Sequence, residues 1–391
     1  MADPWLSIIG LGEDGPEGLS GASRAALAAA GTVFGGPRHL ALAGVGARGR
    51  PWPVPFSLDP VLALRGQPVA VLASGDPFWF GAGGSLAQAL RPDEWRAYPV
   101  AGVFSLAAAR LGWRLEETAC LGLHAAPFER LRPLLHAGWQ GICTLRDGLA
   151  VADLAAWLAG QGWGASQLWV LEALCGPQER IRQTRADTAP VADIAAPVAV
   201  AIRAAGGGGL PRSAGLPEDL FAQDGQITKS PIRALTLAAL APRPKETLWD
   251  LGAGSGSVAV EWALAGGRAV AVERREDRAA NIRANAAAFG LGDRLTVRTG
   301  TTLEVLPDLP PPDAIFVGGG FDDALFAALP RRARLVANAV TLETEALLVQ
   351  LHAAHGGDLT RIEIARAAPL GQMRGWNAAR PVVQWSLGPC A

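Results

Sequence analysis

Residues 248–257 read LWDLGAGSGS, an apolar run that ends in Asp250 and is followed by Gly252, Gly254 and Gly256 at every second position. In a doubly wound α/β domain the ligand sits beyond the carboxyl ends of the strands, where a Gly-rich turn leads into a helix. Glycine there removes the Cβ atoms that would keep a ligand away from backbone N–H groups. The spacing is not the G-x-G-x-x-G of a dinucleotide loop. An acidic side chain so near the turn would repel a pyrophosphate but can face an amino group or another cation. The next strand, AVAVER (269–274), ends in Glu273 and Arg274, where a carboxylate can take both hydroxyls of a ribose. The strand after that, RLTVRTG (294–300), leads through Gly300 to Thr301 and Thr302, where an adenine would lie.

Adenine, ribose and a cationic amino-acid end without phosphate describe S-adenosylmethionine (SAM). The arrangement resembles the class I SAM-dependent methyltransferases. That resemblance implies cofactor contacts from Gly252, Ala253, Gly254, Ser255, Gly256, Glu273, Arg274, Gly300, Thr301 and Thr302, with Thr228 upstream. Methyltransferases acting on amino groups often carry an Asn-Pro-Pro-Tyr-type loop after the fourth strand. Here that strand, DAIFVGGG, ends in Gly318-Gly319-Gly320. An electron-rich carbon is the better target, since it needs proximity and in-line alignment more than a strong base.

Outward from the loop, helical and strand-like runs alternate: ALTLAALA helix, TLWDLG strand, SVAVEWALA helix, AVAVER strand, RAANIRANAAAFG helix. Upstream, AAGGGGLPRSAGLPED (204–219) cannot sustain helix or strand and reads as an exposed linker over residues 206–219. Residues 1–205 show a second alternation. WLSIIG, TVFG, VAVLAS and ICTLRD read as strands, and LSGASRAALAAAG, SLAQALR, SLAAARLG and VADLAAWLAGQG as helices. Two α/β domains with mostly parallel sheets are expected, residues 1–205 and 220–391.

The first domain has its own glycine loop, Gly10-Leu11-Gly12-Glu13-Asp14-Gly15. It spells G-x-G-x-x-G, yet the second strand, TVFGG, ends without the acidic residue a nicotinamide cofactor would need. Glu13 and Asp14 also place negative charge where a pyrophosphate would go. More telling are LASGDPFWFG (72–81), with Gly75 and Asp76 in a strand-end turn, and AGVFSLAAARLG (101–112), with Phe104 and Ser105 opening a helix. In this order the three elements resemble the tetrapyrrole methylases, the class III SAM methyltransferases. Glu13-Asp14 stands in place of that family's Pro-Gly, and Ala101 in place of a Pro. The resemblance implies SAM contacts from Gly10, Leu11, Gly12, Gly75, Asp76, Phe104 and Ser105.

The pairing of a class III and a class I module resembles the fused C(5,15)-methyltransferase (decarboxylating) family of cobalamin biosynthesis. DGQITKSPIRALTLAAL (224–240), NAVTLETE (338–345) and IARAAPLGQMRGWNAARPV (364–382) extend the likeness. It implies a bifunctional enzyme with one SAM per domain and precorrin-6B as substrate. The first domain would methylate carbon 5; the second would methylate carbon 15 and decarboxylate the ring C acetate, giving precorrin-8. The peripheral carboxylates of such a macrocycle need cations, and arginine pairs with carboxylate in bidentate fashion. Lys229, Arg233, Arg366, Arg374 and Arg380 lie in the matching segments. Arg366 and Arg374 flank PLGQM, a turn expected to bring both to one rim.

Composition bounds the alternatives. The formal charge of −1 gives no electrostatic footprint for nucleic acid or an anionic membrane. No run of about 20 residues is free of charges and turn formers, so no membrane span is expected. Cys120, Cys143, Cys175 and Cys390 form no CxxC pair, which argues against a zinc site and fits a reducing cytoplasm. Of the histidines only His352 and His355 are close together, without further ligands nearby, so no metal is expected. Apolar helix faces in both halves point to self-association. Two rival readings are a tetrapyrrole carrier with a single active methyltransferase domain and a nicotinamide-dependent reductase.

Overall fold

The computed structural model describes residues 4–188 and 191–389; Cys390 lies outside them. Contacts between residues divide the chain into two units. Unit 1 comprises Met1–Phe128 and His136–Gly208; unit 2 comprises Gly209–Ala391 and the short segment Glu129–Leu135.

The first unit begins with β1 (Leu6–Leu11), β2 (Thr32–Gly35), β3 (Gly49–Pro51), β4 (Val69–Ser74) and β5 (Trp95–Tyr98). They form one sheet in the order β3-β2-β4-β1-β5, every pair parallel. Strand β4 is buried over Val69–Ala73, as expected of a central strand covered on both faces. Helices α1 (Gly21–Ala29), α2 (Pro37–Leu42), α3 (Asp59–Leu62) and α4 (Ala82–Ala89) provide crossovers. The Ser20 hydroxyl caps α1 by accepting the Ser23 N–H at 3.1 Å. Helix α5 (Val103–Leu111) ends on Gly112 at φ +66°, a left-handed C-terminal cap.

A second sheet in this unit joins β6 (Ala119–Gly122), β7 (Gln140–Thr144), β8 (Gln167–Glu172), β9 (Arg180–Arg185) and β10 (Val198–Arg203) in the order β6-β7-β10-β8-β9. Only β6 and β7 run parallel; the other pairs are antiparallel. The expectation of mostly parallel sheets therefore fails here. Strands β8 and β9 are joined by too few residues for a crossover helix, so they pair as neighbours. Helix α6 (Leu149–Gly160) follows β7.

The second unit holds β11 (Thr247–Leu251), β12 (Arg268–Glu273), β13 (Leu295–Thr299), β14 (Ala314–Val317), β15 (Arg334–Ala339), β16 (Asp358–Ile362) and β19 (Val382–Leu387). Their order is β13-β12-β11-β14-β15-β19-β16, with β19 antiparallel to both neighbours. The strand order reverses between β11 and β14, the switch point where ligands of open α/β sheets bind. Helices α7 (Ser230–Leu240), α8 (Ser257–Leu264) and α9 (Glu276–Ala288) contribute Leu237, Trp262 and Ile282 to one apolar layer. Trp385 and Leu348 belong to a second one. Between β16 and β19 the chain leaves the sheet as a separate hairpin, β17 (Ala365–Leu370) and β18 (Met373–Ala378).

The Gly/Pro stretch expected as a linker is anchored at both ends. The Gly207 N–H donates to the Gly162 carbonyl at 3.1 Å. Leu216 is buried in the second unit's core, and the Gly215 and Leu216 N–H groups donate to the Glu261 carboxylate at 2.6 and 2.9 Å.

Candidate functional sites

In the first unit the carboxyl ends of β1, β2 and β4 open on a cavity of about 1240 Å³. Gly75 shapes its floor. It sits at φ +58°, and a Cβ there would fall 2.4 Å from the Cα of Gly102, so the two turns can approach only without a side chain. The Asp76 carboxylate accepts the Phe78 N–H at 2.9 Å, which fixes the turn after β4. Aromatic side chains form much of the wall: Trp52, Phe56, Trp79, Phe80 and Phe104. Trp79 and Phe80 both pack against the Phe104 ring, with centroids at 5.8 and 6.2 Å. A polar cluster lines the same cavity. Arg38 pairs with Glu13, and its Nη2 donates to His39 Nε2 and to Ser74 Oγ, each at 3.0 Å. Burial pulls the His39 imidazolium down to about 4, with the Arg38 charge adding to the effect.

In the second unit a cavity of about 680 Å³ opens beside the loop after β11. Gly252, Ala253 and Gly254 line it, together with Thr228, Lys229 and Arg366. Gly252 is at φ +67°, and a Cβ there would lie 2.6 Å from the Gly319 carbonyl oxygen. Glu273 braces the loop from beneath: one carboxylate oxygen accepts the Gly254 N–H at 2.9 Å, the other the Arg275 N–H at 3.0 Å. Asp250, at 1% exposure, accepts the Ala259 N–H at 3.0 Å through Oδ2, while Oδ1 finds no partner. Burial pushes its carboxyl up to about 7; the bond from Ala259 opposes the shift and the Glu273 charge adds to it. An orphaned buried carboxylate oxygen beneath a glycine cradle fits a ligand with a cationic amino-acid end. The residues present therefore suit SAM.

The chain matches two family models. Residues 6–190 match the Tetrapyrrole (Corrin/Porphyrin) Methylases, and residues 219–388 match the Precorrin methyltransferase domain. A relative from Sinorhizobium sp, named precorrin-6Y C(5,15)-methyltransferase [decarboxylating], is 45% identical over 401 residues, covering 99% of this chain and 97% of its own. The chain belongs to the precorrin-6Y C(5,15)-methyltransferase (decarboxylating) family. A shorter relative from Pyrobaculum calidifontis, named probable cobalt-precorrin-6B C(15)-methyltransferase (decarboxylating), is 36% identical over 180 residues, covering 43% of this chain and 92% of its own. Among solved structures, the C-terminal domain of a precorrin-6Y C5,15-methyltransferase from Rhodobacter capsulatus is 58% identical. It covers 45% of this chain and 98% of its own, at a TM-score of 0.44.

The structure brings together much of what the family resemblance implied. Leu11, Gly12, Gly75, Asp76, Phe104 and Ser105 all line the first cavity. Gly10 lies one step behind, against the Gly75 carbonyl oxygen. In the second unit Ser255, Gly256, Glu273, Arg274, Gly300, Thr301 and Thr302 stand outside the cavity lining. Gly256 packs against Ile282, and the Ser255 hydroxyl is buried without a partner. Thr301 caps the short helix Thr302–Val305, its hydroxyl donating to Glu304 at 2.6 Å.

Two of the cations expected to meet substrate carboxylates lie outside the lining of the second cavity. Arg233 is fully buried: its Nε donates to Glu261 at 2.5 Å, and its other nitrogens to the carbonyls of Thr228 and Leu216. It holds the chain entry to α7 against α8. Arg374 lies on the hairpin opposite Pro369, whereas Arg366 lies opposite Asn377. Side chains along a strand alternate faces, so positions 366 and 369 point oppositely and Arg374 shares the face away from Arg366. Lys229, Arg366 and Arg380 are the expected cations that line the cavity, and neither Arg366 nor Arg380 forms an ion pair with a described carboxylate. The sequence reading named Phe104 but gave no role to Arg38, His39, Trp52, Phe56, Trp79 or Phe80. For Arg38 and His39 the local signal was the GGPRHL segment straight after a strand end, and for Trp79 and Phe80 it was the FWF run after Pro77.

Proposed function

We propose that the chain is a bifunctional SAM-dependent C-methyltransferase of cobalamin biosynthesis that methylates a precorrin-6-type tetrapyrrole at carbons 5 and 15 and decarboxylates its ring C acetate. What carries the reading is the near-complete match to the Sinorhizobium relative, combined with two separate cavities, each beside a glycine turn at strand ends. Residues 1–205 would serve carbon 5, and residues 220–391 carbon 15 and the decarboxylation, with the Gly/Pro stretch between them. The Pyrobaculum relative supports this division, since its printed name joins carbon-15 methylation to decarboxylation on a chain of about half this length.

Each unit would hold one SAM, which supplies an electrophilic methyl group when bound. In the first unit the strand-end turns at Gly12, Gly75–Asp76 and Ser105 would hold it. In the second, the Gly252–Gly256 loop would, with Glu273 at the ribose and Thr228, Arg274 and Gly300–Thr302 around the nucleoside. The protein's share of catalysis is then alignment: a meso carbon of a reduced macrocycle is already enamine-like and needs to be held in line with the methyl group. Trp52, Phe56, Trp79 and Phe80 offer the first cavity apolar aromatic surface for a macrocycle. Lys229, Arg366 and Arg380 offer the second cavity cations for peripheral carboxylates. Removing water around the ring C acetate favours loss of carbon dioxide, the electron pair of the broken carbon–carbon bond passing into the conjugated ring and a proton then adding to the carbon left behind.

A cytoplasmic location and self-association belong to the same reading. Among the described residues Cys120, Cys143 and Cys175 are unpaired, and no helix is long and apolar enough to cross a membrane. Leu370, Met373 and Trp376 are exposed on the hairpin. The decisive experiment is mass spectrometry of the product formed from precorrin-6B with excess SAM, paired with calorimetric titration of SAM. Gain of two methyl groups with loss of carbon dioxide, and two equivalents of SAM, is the expected result. One equivalent with no chemical change would favour a carrier.

A further inference from the structure

The Arg38–His39–Ser74 cluster adjoins the cofactor turns of the first cavity, with Arg38 paired to Glu13 beside Gly12 and Ser74 directly before Gly75, and its own geometry is specific. His39 lies in the first half of α2, just past β2, and Ser74 ends β4, the neighbour of β2 in the sheet. His39 Nε2 and Ser74 Oγ are 2.8 Å apart. Arg38 Nη2 reaches both atoms, and a guanidinium can only donate. Nε2 is therefore the acceptor nitrogen of a neutral imidazole, and its single lone pair is shared between the Arg38 N–H and the Ser74 hydroxyl. The Ser74 oxygen in turn accepts from Arg38 and keeps one lone pair free on an exposed side chain of the cavity wall. Arg38 is held by Glu13 on the loop after β1. A serine whose proton points at an unprotonated histidine is the arrangement of an activated oxygen base.

We propose that Ser74 and His39 form a proton relay that takes the hydrogen carbon 5 loses once it has been methylated. The inference rests on reading the first unit as the carbon-5 site. A meso carbon bearing one hydrogen forms a bond to the methyl group as the methyl–sulfur bond breaks and its electron pair stays on sulfur. The macrocycle is left as an iminium cation whose carbon 5 carries both hydrogen and methyl. The carbon–hydrogen bond then breaks and its electron pair returns to the ring, restoring conjugation. The proton passes to Ser74 Oγ while the serine's own proton moves to His39 Nε2, and from there to water. An iminium-activated hydrogen is acidic, so a weak base suffices. The charge of Arg38 beside the imidazole makes the accepted proton easy to release, and Glu13 keeps that guanidinium in place.

The test uses the full chain, SAM and precorrin-6B carrying deuterium at carbon 5, with the variants His39→Ala, Ser74→Ala and the double variant. Carbon-5 methylation should fall by roughly 100-fold or more in His39→Ala, the usual scale for a general base. The double variant should be no slower than His39→Ala, because the two residues act as one unit. Deprotonation then limits the rate, so a primary deuterium isotope effect should appear in the variants that the wild type lacks. Calorimetric SAM affinity and carbon-15 methylation should stay at wild-type values. Undiminished carbon-5 methylation in both single variants would overturn the relay. So would a loss accompanied by weaker SAM binding and no isotope effect, which would make the cluster a structural prop. A wild type that places no methyl on carbon 5 would instead overturn the reading of the first unit, and the relay with it.

Discussion

Asp250 ties the stability of the second unit to pH in a direction opposite to that of most carboxylates. Its carboxyl is buried beneath the glycine loop and pushed from 3.8 up to about 7, chiefly by burial. Below about pH 4 the group is protonated whether the chain is folded or not. As pH rises from there to about 7, the unfolded chain gives up a proton that the folded chain keeps, so stability falls with rising pH. Above about 7 the whole cost is present. At about 1.4 kcal/mol per pH unit the displacement amounts to about 4 kcal/mol, of which about 3 kcal/mol accrues between pH 5 and pH 8. Asp250→Asn removes the titration while leaving an oxygen for the Ala259 N–H. Its new N–H₂ group occupies the site where Oδ1 has no partner, a pH-independent cost of about 1–3 kcal/mol. The variant should therefore be equal to or weaker than the wild type at pH 5 and should gain on it by about 3 kcal/mol by pH 8. Hydrogen exchange of peptides covering residues 247–264, corrected for intrinsic rates, reads this as a relative change in protection of about 100-fold. On the proposed reading, in which the cationic end of SAM would approach Asp250, saturating SAM should flatten the wild-type curve by favouring the carboxylate. Parallel pH curves for wild type and variant, without ligand, would refute the argument.

Arg233→Ala should cost about 3–5 kcal/mol of stability in the second unit, because it leaves Glu261 buried and unpaired; chemical denaturation checks this, and an unchanged midpoint would refute the structural role given to Arg233. Glu273→Ala should weaken SAM binding to the second unit by about 1.5–3 kcal/mol, the scale of hydrogen bonds to a charged group, with the first unit's isotherm unaltered in the same calorimetric titration. Arg366→Ala should raise the KM for tetrapyrrole roughly 10-fold or more, as expected for a lost charged bond. Arg374→Ala should leave it within about twofold, and steady-state kinetics of carbon-15 methylation distinguishes the two.

The parts of this molecule legible in the sequence are those whose physics is local. The turn after β11 demands glycine for reasons contained within it, and the same holds for Gly75 after β4, so both loops and the strands feeding them could be read directly. Side-chain roles were legible only where the backbone fixed them. Arg233 and Arg366 look alike as residues in family-like segments, but Arg233 meets Glu261 on the next helix, 28 residues on, and is consumed by the core. The placing of Arg374 turned on hairpin register: a turn one residue longer or shorter would move it to the other face. The His39–Ser74 contact joins residues 35 apart that meet only because β2 and β4 are neighbours while β3 lies outside them. No spacing rule could reveal that pair, since strand order is settled by how the whole sheet packs. Cofactor turns are thus written into short segments, whereas the groups that handle protons and carboxylates are assembled by topology.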